Sequence, residues 1–248
     1  MTQSIQIALQ LWSIQEDCKQ DFPGTLRKVA EMGYDGVEFA GYYGMDAKEL
    51  KALLDELNLA VAGSHIPYDN LKNNFEETIA YERALGNTRL VIPFLQAETL
   101  VDWQEYFENI REIQEKLPKD EFKLLYHNHA HEFTSLEGVD VIVEMTQSLP
   151  ALLLEVDTYW LKYAERDVLA WLDKQAAKVE LLHIKEMKET AAGYESTEIG
   201  SGILPINSYV DFAAKHNLDW LIVEQEAFQD LKPMESAALN YTRLKALL

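Results

Sequence analysis

Phe122-Lys123-Leu124-Leu125-Tyr126-His127-Asn128-His129-Ala130-His131-Glu132-Phe133 changes character at its midpoint, and that change decides how the chain is read. The first half is apolar enough for a buried β-strand, in which alternate side chains share a face. His127 and His129 then emerge together where the strand stops, with His131 and Glu132 close behind. Three of the six histidines in the chain lie in this one stretch. They could be satisfied polar residues on a surface loop, but their density at a strand end points to metal binding or proton transfer.

The same passage from strand to helix recurs on both sides. Residues 5–11 read as a strand, and Asp21 with Pro23 then marks a helix start, followed by Leu26, Val29, Ala30 and Gly33 at helical spacing. Residues 35–40 read as the next strand. Asp46 and Glu49 have capping-box spacing, with Asp in place of Ser or Thr, ahead of Leu50, Leu53, Leu54 and Leu57 on one helical face. Residues 59–63 make a third strand, 74–85 a helix, and 89–93 a fourth strand stopped by Pro93. Trp103, Phe107, Ile110 and Ile113 stripe a long helix before the fifth strand, which is the opening stretch.

Beyond it come a helix at 139–149, a sixth strand at 151–157, a helix around Val168 and Leu172, and a seventh strand at 179–185. Gly200-Ser201-Gly202 sits in a polar connection of about 20 residues, long enough to suggest a functional loop. A helix at 205–213, an eighth strand at 220–224 and a closing helix complete the chain. Strands alternating with helices imply a parallel sheet, because each parallel pair needs a crossover. Eight such units in 248 residues point to an α/β (β/α)₈ TIM barrel forming a single domain over residues 1–248. A doubly wound open sheet is the runner-up, and no GxGxxG turn or GK[ST] loop supports it.

Composition narrows the partners. With 48% hydrophobic residues, the chain can bury a large core. Its 22 Lys and Arg against 42 Asp and Glu give a formal net charge of -20, which opposes nucleic acid and anionic membranes. Cys18 is the only cysteine, so no internal disulfide can form, which fits a reducing cytoplasm. Met1-Thr2-Gln3-Ser4 lacks the basic start of a signal peptide, and no apolar run approaches the roughly 20 residues that span a bilayer. The expectation is a soluble cytoplasmic protein with a small-molecule partner, with homo-oligomerisation left open.

In such a barrel the site lies at the C-terminal ends of the strands. The polar residues there are Gln10, Ser13, Glu38, His65, His127, His129, Glu155, Asp157, His183, Lys185, Glu224 and Glu226. Charges buried in a barrel mouth need partners. One divalent cation would serve Asp157, His183, Glu224 and a histidine of the cluster, since carboxylate and neutral imidazole together suit Mn²⁺, Zn²⁺, Co²⁺ or Fe²⁺. A network of ion pairs, with Lys185 neutralising an acid, is the purely structural alternative. Glu38 could simply face a helix, and His216, before the last strand, reads as a surface residue at the opposite rim. Trp12, Phe94, Tyr159 and Trp160 are candidate pocket walls.

Taken together, Tyr126-His127-Asn128-His129 with Glu132-Phe133, Asp157-Thr158-Tyr159-Trp160, His183-Ile184-Lys185-Glu186, Gly200-Ser201-Gly202 and Val223-Glu224-Gln225 resemble the xylose isomerase-like TIM-barrel family. That family comprises sugar isomerases and epimerases, with inosose dehydratases and keto-sugar lyases among its members. The resemblance implies one divalent metal, Mn²⁺ first, with Zn²⁺, Co²⁺, Fe²⁺ or Mg²⁺ as alternatives. Asp157, His183 and Glu224 match three family ligands. The fourth is usually a glutamate; His127 stands at its position here, with His129 the alternative. Lys185 matches the dehydratase-like branch, and Trp160 stands where ketose epimerases tend to have histidine.

The implied activity is a metal-dependent sugar or keto-sugar isomerase or epimerase that abstracts a proton next to a carbonyl and passes through an enediolate. Glu224 or His129 would move the proton, Lys185 or His65 would hold or protonate oxygen, and Glu155, Trp160, Gln10 and Trp12 would contact the sugar. An inosose-type dehydratase or keto-sugar lyase is the alternative outcome. A metal-free sugar-binding barrel and an apurinic-site endonuclease are the rivals from other classes.

Overall fold

In a computed structural model that describes residues 5–248, the alternation of strand and helix closes into a ring. Met1-Thr2-Gln3-Ser4, on which the expectation about a signal peptide fell, lies outside the described residues. The strands in chain order are β1 (Gln6–Gln10), β2 (Gly36–Phe39), β3 (Ala60–His65), β4 (Arg89–Ile92), β5 (Lys123–His127), β6 (Leu153–Asp157), β7 (Val179–Ile184), β8 (Glu186–Thr190), β9 (Gly193–Thr197) and β10 (Trp220–Val223). All but β8 and β9 form the barrel, in the order β1-β10-β7-β6-β5-β4-β3-β2, and each pairing is parallel. The expected (β/α)₈ TIM barrel is therefore the fold.

Two apolar layers hold it. Between barrel and helices lies the larger one, to which Trp103, Phe107, Ile110 and Ile113 contribute from the helix Leu100–Lys116, the stripe read from the sequence. Inside the barrel, Ala8, Ala62, Val91, Leu125, Leu181, Trp220 and Ile222 fill the lower part of the axis. The helix starts follow their caps. Asp21 accepts the Gly24 N–H ahead of a proline in the first turn, and Asp46 accepts the N–H groups of Lys48 and Glu49.

At the floor of the barrel, Arg89 from the start of β4 reaches Glu180 on β7 at 3.0 Å and Asp219, next to β10, at 2.9 Å. Lys123 on β5 donates to the same Glu180 at 2.6 Å. These pairs tie non-neighbouring strands across the bottom of the ring.

The long polar connection after the seventh strand is not an irregular loop. It contains the antiparallel hairpin β8–β9, running in register from Glu186↔Thr197 to Thr190↔Gly193. Glu186 at the base of the hairpin anchors the connection, accepting the N–H groups of Met187, Gly200 and Leu204. A β-carbon on Gly202 would lie 2.0 Å from the Met187 carbonyl oxygen, so the chain at Gly202 packs against the hairpin too closely for any side chain. Among the described residues, no helix is long and apolar enough to cross a membrane.

Candidate active site

The barrel interior becomes ionisable within two residues on strand after strand. Leu125 is followed at i+2 by His127, Leu153 by Glu155 and then Asp157, Leu181 by His183 and then Lys185, and Ile222 by Glu224. A strand keeps i and i+2 on one face, so the apolar plug inside the barrel is capped by a layer of charge at the C-terminal mouth. Register completes the convergence: His127 stands opposite Glu155, and Asp157 opposite His183. Glu38, Glu155, Asp157, His183 and Lys185 are fully buried.

Two overlapping donor sets result. His127, Asp157, His183 and Glu224 each offer an atom within 4.8 Å of the others, and so do His65, His127, Glu155 and His183. Both sets draw on His127 and His183. The Nδ1 atom of His183 lies 3.2 Å from Glu224, while its Nε2 lies 2.8 Å from Glu38 and 3.2 Å from Glu155. The Nδ1 atom of His127 lies 3.0 Å from Glu155, whose same oxygen is 2.6 Å from His65 Nε2. A neutral imidazole has one lone-pair nitrogen and one N–H, so each histidine can serve only one set at a time. A cation in the outer set, with Asp157 and Glu224, leaves inward N–H groups for Glu155 and Glu38 to accept, which is the usual support for a ligating histidine. In that outer set Asp157 Oδ2 is buried without a hydrogen-bond partner, and two carboxylates with two imidazoles fit a divalent cation.

Glu38 does not face a helix, as the sequence left open. It points along the barrel axis and accepts from Gln10 Nε2 at 2.7 Å. Gly63 makes room for it, since a β-carbon there would sit 2.9 Å from Glu38 Oε1. Burial, reinforced by the charge of Glu155, pushes the Glu38 carboxyl up to about 8. Burial also works against ionising Glu155, but His183 and His65 hold it well below the usual carboxylate range. One proton thus serves the facing pair of carboxylates.

The outer set is equally polarised. Burial pushes Asp157 up to about 7 and drives His127 down to about 4, and outside the set it drives His129 down to about 2; burial alone would lower His183 as well, yet Glu155 and Glu38 hold it well above the ordinary imidazole value. Burial alone would lower the Lys185 ammonium, yet Glu224, Asp157 and Glu226 hold it above its ordinary value. Lys185 donates to Glu226, lies 3.6 Å from Glu224, and sits over the rings of Trp160 and Tyr159 at 4.8 and 5.1 Å. It is a fixed cation.

The histidine stretch has a division of labour that its composition did not reveal. Asn128 clamps β5 to β6, donating to the Asp157 carbonyl at 3.2 Å and accepting the Asp157 N–H at 3.0 Å. Glu132, also fully buried, accepts from the Tyr126 hydroxyl and the His129 N–H. His131 lies against the Leu95 carbonyl at 2.7 Å, away from the donor sets. His129 keeps a buried Nδ1 without a partner and faces Trp160 at 5.5 Å between ring centres.

A cavity of about 690 Å³ opens over this layer, lined by His65, His127, His129, Glu224 and Glu226 at its inner end. Trp12 and Phe94 line it as expected of pocket walls. Three sugar-contact expectations move. Glu155 is enclosed beneath the histidines, Gln10 spends its amide on Glu38 and on the Trp12 N–H, and Trp160 stacks beside Lys185 and His129; none of the three lines the cavity. Lys185 likewise sits behind Glu224 and Glu226 rather than on the wall. His216 closes the helix Ile206–Lys215, half-buried against Phe212 rather than on the surface. The sequence reading missed Tyr42, Asn70, Asn74 and Tyr81, which line the outer part of the cavity from segments after β2 and β3. Only the placement of their loops above the mouth reveals them.

Fold and site together define a (β/α)₈ barrel with a histidine–carboxylate cluster at the C-terminal mouth. Residues 26–245 match the family described as xylose isomerase-like TIM barrel, and the chain belongs to that family. An inosose dehydratase of Clostridium tetani is 21% identical over 272 residues, covering 92% of this chain and 90% of the relative. Among solved structures, a sugar phosphate isomerase/epimerase from Parabacteroides distasonis superposes with a TM-score of 0.83 at 21% identity, covering 98% of this chain and 94% of that one. The IOLI protein, solved with a bound zinc atom, has the same fold, with a TM-score of 0.79 at 11% identity over 98% of each chain.

Proposed function

We propose that the chain is a divalent-metal-dependent enzyme that removes a proton next to a carbonyl of a sugar or keto-sugar and isomerises or epimerises it through an enediolate. The observation that carries this reading is the meeting of His127, Asp157, His183 and Glu224 within 4.8 Å at the inner end of the cavity, with Asp157 Oδ2 lacking a hydrogen bond and only the Lys185 ammonium nearby at 3.9 Å. A cation held there would polarise the carbonyl and stabilise the negative charge that develops on it. Equal numbers of carboxylate and imidazole donors, without thiolate, suit Mn²⁺, Zn²⁺, Co²⁺ or Fe²⁺, and the family resemblance puts Mn²⁺ first and admits Mg²⁺.

The side chains supply the remaining roles. Glu224 lines the cavity, and Lys185 keeps its carboxylate ionised against the effect of burial, so it can accept the proton. His129, kept neutral by burial, serves as a hydrogen-bonding partner for the enediolate oxygen rather than as the base. His65 lines the wall with its Nε2 fixed on Glu155. Lys185 acts through the two glutamates in front of it.

A second reading, loss of water from a keto-sugar or inosose, keeps the same first step. It draws support from the inosose dehydratase relative, and the proton that Glu224 takes from carbon would be returned to the departing hydroxide, which leaves as water. One experiment separates the readings. Mn²⁺-loaded protein is incubated in D₂O with keto-sugars and inososes, and deuterium uptake and products are followed by NMR. Deuterated isomers or epimers support the first reading, and an unsaturated ketone supports the second. No exchange with any of them, metal being bound, overturns both.

A further inference from the structure

The cavity is larger than the reacting centre requires, and its far part has a chemistry of its own. At about 690 Å³ it lies in the middle of the roughly 300–1,000 Å³ range of sites that enclose drug-sized ligands, well beyond one sugar ring. From the donor sets it runs outward over the loop after β2 and the helices Tyr68–Asn73 and Phe75–Leu85 that come after β3. There Tyr42 and Tyr81 stack with ring centres 4.2 Å apart and planes 29° apart. Both hydroxyls are committed, Tyr42 to Glu82 and Tyr81 to the Met45 carbonyl, so the pair is pinned in place. Phe94 and Trp12 flank the route, each 47% exposed although both line the cavity. Asn70, Asn74 and Thr78 add neutral polar groups.

Charge is the second observation. The lining contains Glu77, Glu82, Glu224 and Glu226 and neither Lys nor Arg. A phosphate ester would enter a wall of carboxylates with no guanidinium or ammonium to receive it. Fixed aromatic rings, exposed ones beside them and neutral amides instead suit an uncharged polyhydroxylated ring, whose C–H face packs on aromatics while its hydroxyls meet amides.

We infer that the outer half of the cavity is a subsite for a second, uncharged sugar ring, so that the substrate is a glycoside of the keto-sugar rather than a free monosaccharide or a sugar phosphate. The inference rests on the proposed proton-abstraction chemistry only for the identity of the inner ring. The subsite itself is a matter of binding.

The test uses Mn²⁺-loaded protein and three probes: a keto-hexose, a two-ring disaccharide in which that keto-hexose keeps its carbonyl free and carries the second ring on another hydroxyl, and the phosphate ester of the keto-hexose. Calorimetric titration gives each affinity. The two-ring probe is expected to bind about tenfold tighter than the single ring, and the phosphate ester no tighter than the single ring. Phe94→Ala, at an exposed position, and Tyr81→Ala are each expected to bring the two-ring probe back towards the affinity of the single ring. A phosphate ester that binds tightest, or a two-ring probe that gains nothing over the single ring, overturns the inference. Deuterium exchange on the same probes keeps the two ideas apart. Exchange without two-ring preference sinks only the subsite, whereas two-ring preference without exchange sinks only the proposed chemistry.

Discussion

Replacing Glu155 by Gln tests the logic of the donor layer while keeping the shape of the side chain. One oxygen of Glu155 lies 2.6 Å from His65, 3.0 Å from His127 and 3.2 Å from His183. If the outer set holds the metal, Glu155 fixes the two shared histidines with their inward nitrogens protonated. Glutamine can keep one accepting oxygen at that point, with its NH2 where the other, unpartnered Glu155 oxygen lies, but it removes the negative charge that holds the inward N–H groups. Loss of such an outer partner typically weakens metal binding by about 10–100-fold, which is about 1.4–2.7 kcal/mol. Chelator-stripped protein titrated with Mn²⁺ reads this directly. Thermal unfolding gives an independent reading: at a metal concentration about 100 times the wild-type Kd, binding stabilises by about 2.7 kcal/mol, and a tenfold weaker variant retains about half of that. At about 2–4 °C per kcal/mol for a domain of this size, the difference is measurable. A folded Glu155→Gln variant that binds Mn²⁺ within about twofold of wild type would refute the reasoning, because the charge of the carboxylate would then contribute nothing to holding the shared histidines.

Asp157→Asn is expected to abolish turnover and metal binding with the fold intact, since asparagine also caps helices and Asp157 Oδ1 accepts the N–H groups of Tyr159 and Trp160; activity retained in a circular-dichroism-native variant would show the site to be misplaced. Cys18 is expected to resist iodoacetamide at pH 8 in the folded protein and to react on addition of urea. Burial pushes its thiol up to about 12, so the reactive thiolate is suppressed until the chain opens. Labelling of native protein at the rate of a free thiol would contradict this.

Much of this molecule could be read from residue order. The parallel barrel follows from apolar strands at regular intervals with amphipathic helices between them, and the ends of β5, β6, β7 and β10 carry the ionisable residues that converge. What the sequence could not show was depth. Glu155 and Asp157 sit on one face of one strand and look equivalent, yet a rise of two residues puts Glu155 beneath the imidazoles and Asp157 in the outer donor set. The roles of Gln10 and Glu38 depend on pairing across β1 and β2, a contact 28 residues apart with no local signature. The hairpin β8–β9 escaped notice because its strands are polar and short. The tyrosines of the outer cavity escaped because loops declare their position only when the barrel closes.

The ion pairs on the barrel floor carry a consequence for how such a protein can change. Arg89, Lys123, Glu180 and Asp219 lie at the N-terminal ends of strands whose other ends hold the donor layer. The apolar plug of Leu125, Leu181, Trp220 and Ile222 separates the two. Substitutions that redirect chemistry at the mouth therefore need not loosen the fastening at the floor, and a lineage exploring new substrates could rewrite one end of every strand while inheriting the other unchanged.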